Sequence, residues 1–110
     1  MAGDKRALII HPSDSVATAI EDIAPGDTVR LLAVSGEEAG APVVARQAIP
    51  FGHKLALRDL QEGEPVIKYG EVIGRTIAPV AAGEHMHVHN LRGLRGRGDQ
   101  AAAAASALSR

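Results

Sequence analysis

The sequence predicts an all-β fold, and two observations carry that prediction. A turn signature (apolar, two residues, Gly, two residues, apolar) occurs four times: Ile23-Ala-Pro-Gly26-Asp-Thr-Val29, Ile49-Pro-Phe-Gly52-His-Lys-Leu55, Leu60-Gln-Glu-Gly63-Glu-Pro-Val66 and Val80-Ala-Ala-Gly83-Glu-His-Met86. Glycine takes the positive-φ place of each turn and a strand follows. The segments between the turns are short, and frequent turns between short strands mark a β protein. The glycines are unevenly spaced, which excludes a solenoid repeat.

The strands expected in order are Ala7–His11, Thr28–Val34, Val43–Ala48, Val66–Lys68, Val72–Ala78 and His85–Asn90. One short helix is expected after Ser13 or Asp14, because Val16, Ile20 and Ile23 keep roughly helical spacing and Ser13 or Asp14 can cap it. Pro25-Gly26 then stops it. Residues 57–60 read as a single helical turn. The folded domain is drawn over residues 1–95, and residues 96–110, an Ala-rich low-complexity stretch, as a tail.

Composition narrows the function. The 110 residues are 45% hydrophobic and 23% charged, the profile of one globular domain. Phe51 and Tyr69 are the only aromatic residues, so the core is aliphatic and base or sugar stacking on aromatic platforms is excluded. Twelve basic against thirteen acidic residues argue against a nucleic-acid binder. The absence of cysteine excludes disulfides, thiol catalysis and Cys-ligated metal centres. No signal peptide or membrane span is read, which points to the cytoplasm.

The segment His85-Met-His87-Val-His89-Asn90 is the most informative. On one strand the three histidines share a face, with neighbours ~7 Å apart and the outer pair ~13 Å apart. Two neighbours among them can hold one metal ion, as His-x-His pairs do. Imidazole also moves protons near neutral pH. His53 and Lys54 follow the Gly52 turn, a place suited to proton transfer and to clamping a carboxylate. His11 closes the first strand and Asp14 stands at the start of the expected helix, whose free N-terminal N–H groups can bind a carboxylate. Arg95 and Arg97 lie in a Gly-spaced basic arm that suits anions. Walker, dinucleotide and nucleophile motifs are missing.

Together these residues resemble a known family. Ile49-Pro-Phe-Gly-His-Lys-Leu-Ala-Leu-Arg-Asp-Leu60, then Gly63-Glu-Pro-Val-Ile-Lys-Tyr-Gly-Glu-Val-Ile-Gly74, then His87-Val-His-Asn90 resemble the SAF-domain part of the altronate/galactarate dehydratases. The resemblance runs from about His11 to Asp99. It implies a β-clip fold and a role as the small subunit of a sugar-acid dehydratase. A large catalytic subunit would hold most of the site, with a divalent metal, usually Fe2+. The reaction is β-elimination of water to a 2-keto-3-deoxy acid. His53, His87 and His89 are then the candidates for proton transfer, with His87 and His89 also as metal ligands. His11, Asp14, Lys54, Arg95 and Arg97 are the candidates for holding substrate. A related branch releases sulfite from sulfolactate. A stand-alone carbohydrate-binding or assembly-chaperone module is the reading of a different class. Homo-oligomerisation is left open. One departure from the family pattern is Asp14-Ser15-Val16, where members often carry Asp-Asn-Val.

Overall fold

Each glycine signature closes the same tight reversal. Gly26, Gly52, Gly63 and Gly83 have φ between 81° and 90°, the third position of a type II turn. The residue after the glycine donates its N–H to the carbonyl three residues back: Asp27 to Ala24, His53 to Pro50, Glu64 to Gln61 and Glu84 to Ala81. The structure, a computed structural model, describes residues 4–87 and 89–93. Arg95, Arg97 and the Ala-rich tail lie outside the described residues.

The four turns pair two by two. Ile23 and Ile49 exchange both backbone hydrogen bonds at 2.9 Å, and Leu60 and Val80 do the same at 2.7 and 2.8 Å. Within each pair the glycine N–H donates to a small residue of the other copy. Gly26 donates to Ala45, Gly52 to Ala19, Gly63 to Thr76 and Gly83 to Ala56. The N–H of that small residue returns to the position after the glycine, as Ala45 to Asp27 and Ala19 to His53. The same bonds run both ways across each pair, so each pair has a local twofold arrangement. Asp22 adds a side-chain bond to the Phe51 N–H, and Asp59 adds one to the Ala82 N–H. These two aspartates sit just before Ile23 and Leu60, at equivalent places.

Among the described residues nine strands and no helix are present: β1 (Asp4–Leu8), β2 (Val16–Ala19), β3 (Thr28–Leu32), β4 (Val43–Val44), β5 (Lys54–Ala56), β6 (Pro65–Lys68), β7 (Glu71–Thr76), β8 (His85–Met86) and β9 (Leu91–Gly93). One sheet has the order β4-β3-β1-β2-β5-β8 and the other β6-β7-β9. β1 and β3 are parallel, and the other pairs are antiparallel. The all-β expectation holds. No helix among the described residues is long and apolar enough to cross a membrane.

Two expected helical pieces are corrected. The segment after Asp14 forms β2, held between β1 and β5. Val16, Ala17 and Ala19 are all buried. A short apolar strand buried on both faces loses the period-2 pattern and imitates a helix. Residues 57–60 end in the Leu60–Val80 bridge rather than in a helical turn.

β2 and β5 divide two apolar cores. Ala17, Ala19 and Leu55 face one, with Ala7, Val29, Leu31, Ala45 and the Ile23–Ile49 pair. Val16 and Ala56 face the other, with Met86, Val66 and the Leu60–Val80 pair. Val29, Leu55, Val66 and Met86, the last residues of the four signatures, are fully buried. A side chain at Gly83 would collide with the Val44 carbonyl, besides having to adopt φ of 88°.

Two predictions follow from this packing. Leu55→Ala costs about 2–5 kcal/mol in denaturant unfolding, whereas Glu62→Ala, at an exposed turn position, stays within about 0.5 kcal/mol. The Glu64 carboxyl accepts the Gln61 N–H and pairs with Arg58, which together hold it below its ordinary 4.5. A carboxyl lowered by folding adds stability above the unfolded value and loses it as pH falls through the folded one. Acid titration of Glu64→Gln is therefore expected to show a shallower loss of stability below about pH 4.5 than the parent chain.

Candidate functional site

Three of the four turns share a second device. The acidic residue after the glycine turns its carboxylate back onto the first N–H of the turn. Asp27 accepts from Ala24 at 2.8 Å, Glu64 from Gln61 at 2.9 Å and Glu84 from Ala81 at 2.9 Å. The fourth turn begins with Pro50, which has no N–H to give. His53 stands where the other copies carry a carboxylate. Its ring is spared that hydrogen bond and turns towards β8.

β8 lies beside β5 with Leu55 opposite His85 and Lys54 opposite Met86. The His85 N–H is held by the Gln47 side chain at 2.8 Å. The strand ends there, contrary to the expected run His85–Asn90. The reason is Asn90. Its side-chain oxygen accepts the His87 N–H at 2.9 Å, and its side-chain amide donates to the His85 carbonyl at 2.7 Å. Its own N–H donates to the His87 carbonyl at 3.1 Å. The chain folds back over residues 87–90 and resumes as β9.

This reversal brings histidines together that a straight strand would hold apart. The rings of His53 and His87 stack with centroids 4.0 Å apart and planes 13° apart. His53 and His85 stack at 5.0 Å, and His85 and His87 at 5.6 Å. His53 Nδ1 lies 2.8 Å from His85 Nε2. One ring nitrogen from each of the three lies within 4.8 Å of the others. His89 is exposed and tilts against His85, with centroids 5.0 Å apart. Of the expected metal pair, His87 stands with His53 and His85 in the group whose ring nitrogens converge, and His89 lies against the His85 ring.

Burial pushes the His85 imidazole below its ordinary 6.5, helped by His89, His53, His87 and Lys54. Burial followed by His53, Lys54 and His89 does the same for His87. Both rings are thereby held towards the neutral form. Lys54 is itself held below its usual value by burial first and then by Lys68. The Lys68 ammonium sits 4.8 Å from the centre of the Tyr69 ring.

His11 and Asp14 have other occupations. The Asp14 carboxylate accepts the N–H groups of Ile10, His11 and Gly70, at 3.2, 3.0 and 2.9 Å. It ties the first loop to the turn between β6 and β7, where Tyr69 takes φ of 59°. His11 Nδ1 accepts the Ser13 N–H and lies 2.8 Å from the Ser13 hydroxyl. Ser15, at the family's usual Asn place, accepts the Ile67 N–H with its hydroxyl and donates its own N–H to the Ile67 carbonyl. It therefore joins the two sheets. A surface recess lined by Glu62, Gly63, Arg75, Thr76, Ile77 and Arg92 includes none of the predicted site residues.

The all-β fold agrees with what the sequence is similar to. The family model for the altronate/galactarate dehydratase SAF domain matches residues 5–94, and the chain belongs to that family. It is 43% identical over 83 residues to an altronate dehydratase of Escherichia coli, covering 76% of this chain and 15% of that protein. It is 35% identical over 88 residues to the Bacillus subtilis altronate dehydratase, of which it spans 16%. It is 43% identical over 79 residues to the (2R)-sulfolactate sulfo-lyase subunit alpha of Chromohalobacter salexigens, covering 60% of this chain and 84% of that one. The chain thus corresponds to a small part of the dehydratases and to most of the sulfo-lyase subunit.

The Asn90 clamp is testable. Asn90→Ala removes the acceptor of the His87 N–H and the donor to His85. The fold is expected to survive while the His87 ring leaves the stack. Ring-proton NMR reads this as loss of the ring-current shift between His53 and His87.

Proposed function

We propose that this chain is the small subunit of a lyase that eliminates a β-leaving group from a hydroxy acid, working with a large catalytic subunit. A sugar-acid dehydratase is the first reading, with water as the leaving group and a 2-keto-3-deoxy acid as product. The observation that carries it is the cluster of His53, His85 and His87 beside Lys54. Such a face suits an anionic substrate. Elimination next to a carboxylate needs a positive group for that carboxylate and groups that move a proton. Lys54, half-buried beside the imidazoles, serves the first need. Arg95 and Arg97, from the sequence, are further candidates for it. His89, exposed at the rim, serves the second. Asp14 is not assigned to substrate, because its carboxylate already accepts three N–H groups.

Divalent metal chemistry, with Fe2+ in the large subunit, would supply the Lewis acid for the departing hydroxyl when bound. This chain would bring the carboxylate clamp and the imidazole face to the shared site. The second reading, release of sulfite from sulfolactate, is favoured by the coverage of 84% of the sulfo-lyase subunit.

The experiment is reconstitution with a large partner, followed by parallel assays for 2-keto acid from hexonates and hexarates and for sulfite from sulfolactate. Keto acid supports the dehydratase, and sulfite supports the second reading. Neither product from a formed complex would overturn both. In the active complex His89→Ala is expected to lower kcat by roughly 100-fold or more. Lys54→Ala is expected to raise KM for the acid.

A further inference from the structure

We infer that His53, His85 and His87 of this chain hold a first-row divalent transition-metal ion, one ring nitrogen from each, with the fourth position open to an anion. The first support is the donor set. Three imidazoles, without thiolate or carboxylate, suit Zn2+, Fe2+, Co2+ or Ni2+ and not Mg2+ or Ca2+. The second is distance. The donor nitrogens lie within 4.8 Å of one another, and a tetrahedral ion needs them about 3.3 Å apart. The rings now lie nearly parallel. Turning them towards a common point is a rotation about the broad outer torsion of histidine, which has shallow minima.

The third support is an orphan. His87 Nδ1 is buried and has no hydrogen-bond partner among the described residues. A buried polar atom without a partner costs stability, and a metal ion satisfies it. The fourth is the break in the turn pattern. Three copies place a carboxylate after the glycine for a structural bond, and the copy that begins with Pro50 places His53 there, aimed at the other two rings. Both ends of the cluster are fixed by backbone bonds that do not use the rings: the Pro50–His53 turn and the Asn90 clamp.

Lys54 follows His53 in the chain and pairs across β5 and β8 with Met86, the residue between His85 and His87, so the site brings its own cation for an anion in the fourth position. The inference concerns the site on which the lyase reading rests, yet ion binding by this chain alone does not require that reading to hold.

The test uses the untagged full-length chain, stripped with chelator and titrated with Co2+ and Zn2+. Calorimetry gives the stoichiometry, and visible absorption reports the cobalt geometry. One ion per chain is expected, with a nitrogen-ligated cobalt spectrum and no uptake of Mg2+. His53→Ala, His85→Ala and His87→Ala are each expected to weaken binding about 100-fold or more, since even the outer partners of ligands cost roughly 10–100-fold. His89→Ala and His11→Ala should leave it unchanged. His53→Gln keeps the turn, whose bonds do not use the side chain of residue 53, and serves as the variant that stays folded. Absence of saturable binding would overturn the inference, as would binding that survives His53→Gln or is lost with His89→Ala. Lyase turnover by a complex whose small chain takes up no ion would sink the inference and leave the lyase reading standing.

Discussion

The fold depends on one reciprocal interaction. A glycine N–H at the third position of a turn donates to a small residue just ahead of a second turn, and the glycine of that second turn returns the same bond. Neither turn satisfies its backbone alone. Each is completed only by its mate, so the Ile23–Ile49 pair and the Leu60–Val80 pair form as units. Two bridging apolar side chains then meet at the centre of each pair and are buried there. Because buried N–H and C=O groups must find partners, this pairing fixes where the strands on either side run. β2 and β5 emerge from it as the wall between two cores.

The histidine face is built on that frame. His53 enters from the mate of the Ile23 turn. His85 follows the mate of the Leu60 turn. One ring is therefore carried by each pair, and β5 with β8 sets the distance between them. Asn90 completes the group by reversing the chain directly after β8 ends at Met86. The site thus draws on both halves of the molecule.

Much of this was legible in the sequence. The four Gly signatures could be read because a positive φ restricts residue choice so strongly. Their pairing could not, because residues 26 and 52 are brought together by bonds between backbones, which leave no mark on side-chain identity. β2 was misread because Val16-Ala-Thr-Ala19 is buried on both faces and shows no alternation. The histidines were singled out by their clustering, but their geometry was misjudged. Period-2 reasoning assumes that the strand continues, and the side chain of Asn90 stops it. That signal was present: an Asn three residues after His87 repeats the spacing at which Asp27, Glu64 and Glu84 accept an N–H. His85 was passed over because the resemblance rested on the His87-Val-His-Asn90 motif, which begins after it.

Pro50 has a consequence for how this scaffold can vary. At Asp27, Glu64 and Glu84 the side chain is committed to closing its own turn, so a change there disturbs folding. At position 53 the demand has been removed from the backbone side, by a residue with nothing to donate. The position is then free to drift in chemistry at little cost to the architecture. One proline has separated the evolution of the site from the upkeep of the fold, and position 53 is where a related chain could acquire a different reactivity on an unchanged frame.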